Sequence, residues 1–458
     1  IAAAALALLA FELGGPAVGL AAGLLFAVHP VHVEATAGVV GRGELIAAAG
    51  YAIALLCALR VAAKAQWLLG VALASALAIG AKEHVATLPV AILLVFVAGR
   101  QRLRSALVAA GWAALPIIIY FAIRPAITGG VLDAGGMAPG LEGLAMPARI
   151  PVMLALSLEW WRLCLLPIQL SADYSPSDVS VASGLTAHHV LAAATWIGAA
   201  LTAWRLRRSV PGVALGLAWL ALTLVPVANV LVPTEILIAE RTLYLPVWGV
   251  VLALASLGAA VQARGRAKAA VLALVVVAFA ARSIARVGVW RDSETFHASL
   301  LRDAPRSYRT LWLEGNDAFA AHQSGTGERL LRGAIAAAPG IPGPRESLAQ
   351  HYAEAGLWPQ AALLLRQSIP LNESRSRPWM LLPDVLLGGG DTAAAVAAAR
   401  EGTARFPRDP DVTAAAVRTL LAARRCAAAH TILQRRPGQL SPAGQAELER
   451  SIAECHPG

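Results

Sequence analysis

Charge is scarce in this chain. Of 458 residues only 14% are Asp, Glu, Lys or Arg while 57% are hydrophobic, and a mean hydropathy of +0.62 excludes a protein soluble throughout. Cysteine is scarce too: four residues cannot form a disulfide scaffold, and they show no metal-ligand spacing. Cys57 and Cys164 fall inside apolar runs as small hydrophobes, whereas Cys426 and Cys455 lie in a more polar region and would pair only in an oxidising compartment. Acidic residues are outnumbered, 28 against 38 basic, for a formal charge of +10. Much of that basic excess occupies short loops between apolar runs, as membrane anchoring requires, and no nucleic-acid-binding motif accompanies it.

What the chain does have is long apolar stretches, at about 1–10, 16–28, 43–59, 66–80, 84–98, 105–123, 188–204, 211–228, 241–260 and 268–283. Read as spans, they predict about ten crossings, several needing flanking residues to reach the ~20 of a straight helix. Residues 1–10 already read as helix core, so the chain is expected to begin inside a span. Arg60/Lys64, Arg100/Arg102/Arg104, Arg205/Arg207/Arg208 and Arg264/Arg266/Lys268 form basic loops that should be cytoplasmic. This parity holds if the apolar run 150–168 lies in the interface rather than crossing. Residues 29–42, 82–84, 173–178, 235–241 and everything after 284 then share the non-cytoplasmic face.

Beyond about residue 305 a different pattern appears. Gly356 and Gly390 are 34 residues apart, Ala361, Ala395 and Ala429 recur at that interval, and Pro339 and Pro407 at twice it. Thirty-four is the tetratricopeptide period, in which small residues let two antiparallel helices approach and Gly or Pro ends each helix. The expected organisation is an all-α chain: a polytopic transmembrane helical bundle over 1–284, a connector over 285–305, and a tetratricopeptide α-solenoid of roughly four repeats over 306–458.

Ionisable residues at a membrane face cost free energy, so their concentration on one side implies a function or a polar cavity. His29-Pro30-Val31-His32-Val33-Glu34, followed by Gly41-Arg42-Gly43-Glu44, contains helix breakers suited to a loop lining a cavity. It matches no standard zinc motif, and an interfacial turn with hydrogen-bonded histidines is an open alternative. Lys82-Glu83-His84 joins two apolar runs, either as an interfacial pair or with one member reaching a substrate. Leu170-Ser171-Ala172-Asp173-Tyr174-Ser175 follows the in-plane run, and Glu240-Arg241-Thr242-Leu243-Tyr244 opens the next span. Arg241 has no basic neighbours to mark it as a topology anchor, and its planar fork suits a phosphate clamp. In Trp290-Arg291-Asp292-Ser293-Glu294, Trp290 fits an interfacial anchor and Asp292 a helix start.

These motifs, in this order and ahead of the repeats, resemble the transmembrane and tetratricopeptide-repeat O-mannosyltransferase family over nearly the whole chain. The resemblance implies a glycosyltransferase of the GT-C type that moves mannose or a similar sugar from a polyprenyl-phosphate carrier to an extracytoplasmic acceptor protein bound by the repeats. It implies no cofactor beyond the lipid-linked donor, and a divalent metal finds no support in the residues. Members carry a principal acidic pair in the first outer loop, which here would precede Ile1, so Glu34 is the nearest matching acid for a catalytic role. His29, His32, Arg42, Lys82, Glu83, Asp173, Tyr174, Glu240, Arg241 and Tyr244 are the implied substrate-binding residues. The Ala-rich, Arg-over-Lys composition points to a bacterial inner membrane, with an undecaprenyl-linked donor and the repeats in the periplasm or outside. A non-catalytic membrane scaffold for envelope assembly is the alternative, and it would leave the polar residues scattered.

Overall fold

A chain buried in hydrocarbon must satisfy its backbone within each segment, and every regular element among the described residues is helical. The computed structural model describes residues 1–128, 137–176, 186–434 and 440–455; Asp178 lies outside them. The chain divides into two compact units, Ile1–Pro305 and Arg306–Gly458.

The first unit holds α1 (Ala2–Gly14), α2 (Pro16–Ala27), α3 (His32–Ala37), α4 (Arg42–Arg60), α5 (Trp67–Ala81), α6 (Leu88–Ala98), α7 (Leu103–Thr128), α8 (Met146–Leu165), α9 (Ala187–Leu206), α10 (Pro211–Leu224), α11 (Tyr244–Ala260), α12 (Gly265–Val287) and α13 (Ser293–Asp303). Four helices, Val39–Arg60, Leu103–Ile127, Glu240–Ala260 and Gly265–Trp290, are long and apolar enough to cross a membrane. Five of the expected spans are shorter, at 10–17 residues. The shortening has local causes: Lys82 is extended and followed by a 3-10 turn at Glu83–Thr87, and Gly15 takes φ 80 before Pro16 opens α2. Residues 285–305, expected as a connector, belong to the first unit because α12 runs on to Val287 and Arg286 ties it to Asp303 of α13 at 3.3 Å. Asp292 caps α13 as anticipated, accepting the Thr295 N–H at 2.8 Å.

The core of this unit gathers around α11. Trp219 of α10 and Trp248 of α11 are fully buried with ring centroids 4.3 Å apart, and the Trp219 indole donates to the Leu245 carbonyl. Gly216 and Gly249 face each other there so closely that a Cβ on either would fall 2.2 or 2.4 Å from the other's carbonyl oxygen. By contrast the most apolar stretch of α12 is almost wholly exposed, whereas that of α11 is mostly buried.

The second unit is a series of helical hairpins: α14 (Tyr308–Ala320) with α15 (Ser324–Ala337), α16 (Gly343–Glu354) with α17 (Trp358–Ser368), α18 (Arg377–Gly388) with α19 (Thr392–Arg405), and α20 (Pro410–Ala422) with α21 (Cys426–Gln434), followed by α22 (Pro442–Ala453). The second helices begin at 324, 358, 392 and 426, a period of 34. Ala361, Ala395 and Ala429 are fully buried, and Gly327, one period earlier, packs against Phe319 too closely for any side chain. Each hairpin turns on a left-handed residue, His322, Gly356, Gly390 and Arg424, again one period apart. After each, the next N–H reaches back five residues, as in Gln323 to the Ala318 carbonyl (2.8 Å) and Arg425 to the Leu420 carbonyl (2.8 Å). Cys426 and Cys455 form a disulfide that fastens α21 to the chain after α22.

Candidate active site

The segment leading into α11 is shaped by a single residue in the left-handed region, Asn229 (φ 55). Its Oδ1 accepts from the Thr234 N–H (2.7 Å) and hydroxyl (2.9 Å), its Nδ2 donates to the Ile236 carbonyl (2.9 Å), and Arg149 of α8 donates to its carbonyl (2.9 Å). This packing delivers the 3-10 turn Glu240–Leu243, and with it two charged side chains, beside α3 and the loop after α8.

Glu34 and Arg241 meet across 207 residues of sequence. The buried Glu34 carboxylate accepts from the Arg241 guanidinium and, at 2.9 Å, from the Arg241 backbone N–H. Both residues are thereby engaged with each other: the acid expected to act in catalysis holds the arginine expected to clamp phosphate.

Glu240 points the other way and is completely buried. Its Oε1 accepts from the Tyr174 hydroxyl (2.8 Å) and the Ser171 N–H (2.7 Å), while Arg286 lies 3.6 Å away. Among the described residues Glu240 Oε2 has no hydrogen-bond partner, and neither do Nε and Nη2 of Arg286, although Arg286 is only 1% exposed. Burial, with Glu240 beside it, holds the Tyr174 phenol well above its ordinary value. Asp173, next in the loop, accepts from the Ser175 hydroxyl and turns on Ser171, whose hydroxyl donates to the Asp173 carbonyl at 2.7 Å.

The two histidines are structural in their immediate surroundings. His29 Nε2 lies 3.1 Å from the Cys164 carbonyl and Nδ1 receives the Val31 N–H at 3.4 Å, which fixes a neutral ring with the proton on Nε2. Burial lowers its pKa to about 4. His32 is packed between Phe26 and Tyr244, ring centroids 4.3 and 4.4 Å away, and burial, then His29, holds it well below the usual range. Its Nε2 has no partner among the described residues.

A second polar group forms where α4, α7 and the turn after α5 meet. Lys82 and His84 both approach the buried Glu44, at 3.3 and 3.4 Å, while Glu83 binds Arg124 (3.2 Å) and the Tyr120 hydroxyl (3.0 Å) of α7. Lys82 and Glu83 thus point to different partners instead of sharing charge. Arg42 is exposed and makes no ion pair among the described residues. No group of three or more His, Cys, Asp or Glu among the described residues could hold a metal ion.

Two hollows adjoin along α8 and α12. One is a polar cleft of about 860 Å³ lined by Glu159, Arg162, Ser171, Tyr174, Arg282 and Asp303 among others. Arg162 is neutralised by Glu159 and donates to the Gln169 carbonyl at 2.9 Å. Arg282 donates to the Ile168 carbonyl (2.9 Å) and forms no ion pair among the described residues, with the Glu240 and Asp303 carboxylates acting on it through space. The other hollow, of about 780 Å³, is lined almost wholly by apolar side chains, including Leu25, Leu165, Val251, Val275 and Phe279, with His29 among them. Its wall passes from Phe279 to Arg282 of the cleft within one turn of α12, and from Leu166 to Ile168 on the other side.

Comparison with known proteins adds one local likeness. Over 41 residues, 9% of this chain, the sequence is 58% identical to the protein O-mannosyl-transferase Tmtc2 of Drosophila melanogaster, and the aligned stretch is 4% of that protein's length. No family model matches. Among solved structures, the Cut9–Hcn1 hetero-tetramer of the APC/C aligns over 96% of this chain and 91% of its own at 12% identity, with a TM-score of 0.31, too slight to carry an argument.

Of the residues singled out in the sequence, the structure joins Glu34 to Arg241, Tyr174 to Glu240, His29 to His32, and His32 to Tyr244. Arg286, Arg282, Arg162, Asp303 and Glu44 complete these groups and were missed as site residues. Arg282 and Arg286 had a signal: two arginines one turn apart near the end of an otherwise apolar helix.

Proposed function

We propose that this chain is a membrane glycosyltransferase that passes a sugar from a polyprenyl-phosphate carrier to an extracytoplasmic protein acceptor. The observation that carries the reading is the apolar groove running directly into a cleft with an arginine that forms no ion pair among the described residues, the two halves that a lipid phosphate requires. In this reading the polyprenyl chain lies between α2, α8, α11 and α12, and its phosphate meets Arg282, with Arg162 beside it. The sugar then stands over Tyr174. As the bond from the anomeric carbon to the phosphate oxygen breaks, its electron pair leaves with the phosphate and the acceptor oxygen bonds to that carbon. The acceptor's proton passes to the Tyr174 oxygen as the phenolic proton moves to Glu240. Arg241 holds the turn carrying Glu240 through its pair with Glu34, and is a positioning residue.

The short likeness to an O-mannosyl-transferase supports the reaction class. The Cys426–Cys455 disulfide supports an oxidising compartment for the repeats, which would bind the acceptor. A pure scaffold gives no reason to keep Arg282 unpaired beside an apolar groove. The test is transfer of labelled mannose from undecaprenyl-phosphate mannose to co-reconstituted envelope proteins by the full chain in liposomes. The reading expects labelled protein from the wild type and at least about a tenfold loss in Arg282→Gln; no transfer under any donor would favour the scaffold.

A further inference from the structure

A third hollow, of about 770 Å³, lies between α6, α9 and α10 and takes no part in the site above. Its lining is apolar and rich in alanine, with Ala200 and Ala203 from α9, Ala214 and Ala218 from α10, and Leu94 from α6, beside Trp196 of α9. On α10 the lining runs from Pro211 to Ala221, ten helical steps at about 1.5 Å each, hence roughly 15 Å. That is half of the ~30 Å hydrocarbon thickness, the depth of one leaflet.

One end of this furrow is basic. Arg100, in the turn between α6 and α7, and Arg207 and Arg208, between α9 and α10, all line it. Arg100 adopts the left-handed conformation (φ 52) and donates to the Arg208 carbonyl at 3.3 Å, so positions 108 residues apart are held together. The Arg207 guanidinium lies 3.5 Å over the Trp204 ring. None of the three forms an ion pair with a carboxylate among the described residues. Arginines that only set topology need reach no more than the interface, as Arg102, Arg104 and Arg205 can. Convergence of three unneutralised guanidinium groups on the mouth of an apolar furrow asks for an anion that carries hydrocarbon.

We propose that this furrow is a binding site for an anionic glycerophospholipid of the adjacent leaflet, its phosphate on Arg100, Arg207 and Arg208 and its acyl chain along the alanine wall. The inference needs only that the first unit sits in a membrane and is independent of the sugar-transfer reading. The experiment is lipid binding to the full chain in detergent by native mass spectrometry and thermal shift, comparing phosphatidylglycerol with phosphatidylcholine of identical chains and with inorganic phosphate. The wild type should bind phosphatidylglycerol at least about tenfold more tightly than phosphatidylcholine. Arg100→Gln/Arg207→Gln/Arg208→Gln should abolish that preference, and Arg102→Gln/Arg104→Gln should keep it. Ala200→Trp, which fills the furrow from an exposed position, should lose the lipid with the arginines intact, and it decides the matter if the triple variant does not fold. Equal binding of the two lipids, a preference that survives in the triple variant or in Ala200→Trp, or the same shift from inorganic phosphate alone would overturn the proposal.

Discussion

Replacing Arg286 should unmask the cost of a buried carboxylate in the first unit. Its side chain is buried, 3.6 Å from the equally buried Glu240 carboxylate and 3.3 Å from Asp303. At an effective dielectric constant of about 20, two full unit charges at that first distance would attract by at most roughly 5 kcal/mol, and removing one partner of a buried pair costs ~3–5 kcal/mol. Asp303 is partly exposed and can turn to water, whereas Glu240 cannot. Arg286→Met should therefore cost about 3–5 kcal/mol, and adding Glu240→Gln should recover most of it, leaving a deficit of roughly 1–2 kcal/mol. The assay is a double-mutant cycle by SDS titration in mixed micelles, read by tryptophan fluorescence, at low and high salt, since a buried pair is little screened. A single variant that loses less than about 1 kcal/mol, or a double variant as unstable as Arg286→Met, would mean that Arg286 does not compensate a buried Glu240 charge.

His322→Gly and Arg424→Gly should each raise the unfolding midpoint of the second unit, by about 1 kcal/mol in stability, because both sit where an L side chain is strained; Gly356→Ala and Gly390→Ala should lower it. Cys455→Ser should destabilise the last hairpin by roughly 3–4 kcal/mol, from the closed loop set by a separation of 29 residues, and dithiothreitol should reproduce the loss in thermal scans of the wild type. The buried His29 stays neutral down to about pH 4 while the unfolded chain takes up its proton near 6.5. Stability should hence be constant above about pH 7 and fall between 6.5 and 4, and His29→Gln should flatten that fall in thermal unfolding measured across the range.

The helical class and the repeat period were legible because both are written in spacing. Gly356 and Gly390 announce two hairpin turns, but the other two fall on His322 and Arg424, whose identities give no hint of a left-handed backbone. The repeat therefore reads from sequence as partly degenerate and from structure as regular. Helix lengths were less legible: composition alone cannot say that the helix after Lys82 begins with a 3-10 turn. At the site, the residues of the Glu34 and Glu240–Arg241 motifs could be picked out, but their partners could not. Arg241 looked free for phosphate because its counter-ion lies 207 positions away, and Arg282 looked like part of a lipid-facing helix because nothing local shows the cleft beside it.

Sugar transfer as proposed requires a lipid phosphate lying in the groove with its head against Arg282. A photoactivatable polyprenyl phosphate, crosslinked to the full chain in liposomes and mapped by peptide mass spectrometry, should label α12 around Val275 and Phe279 and the Leu165–Leu166 segment, with labelling lost in Arg282→Gln. Label spread evenly over all lipid-exposed helices, or unchanged in that variant, would contradict it.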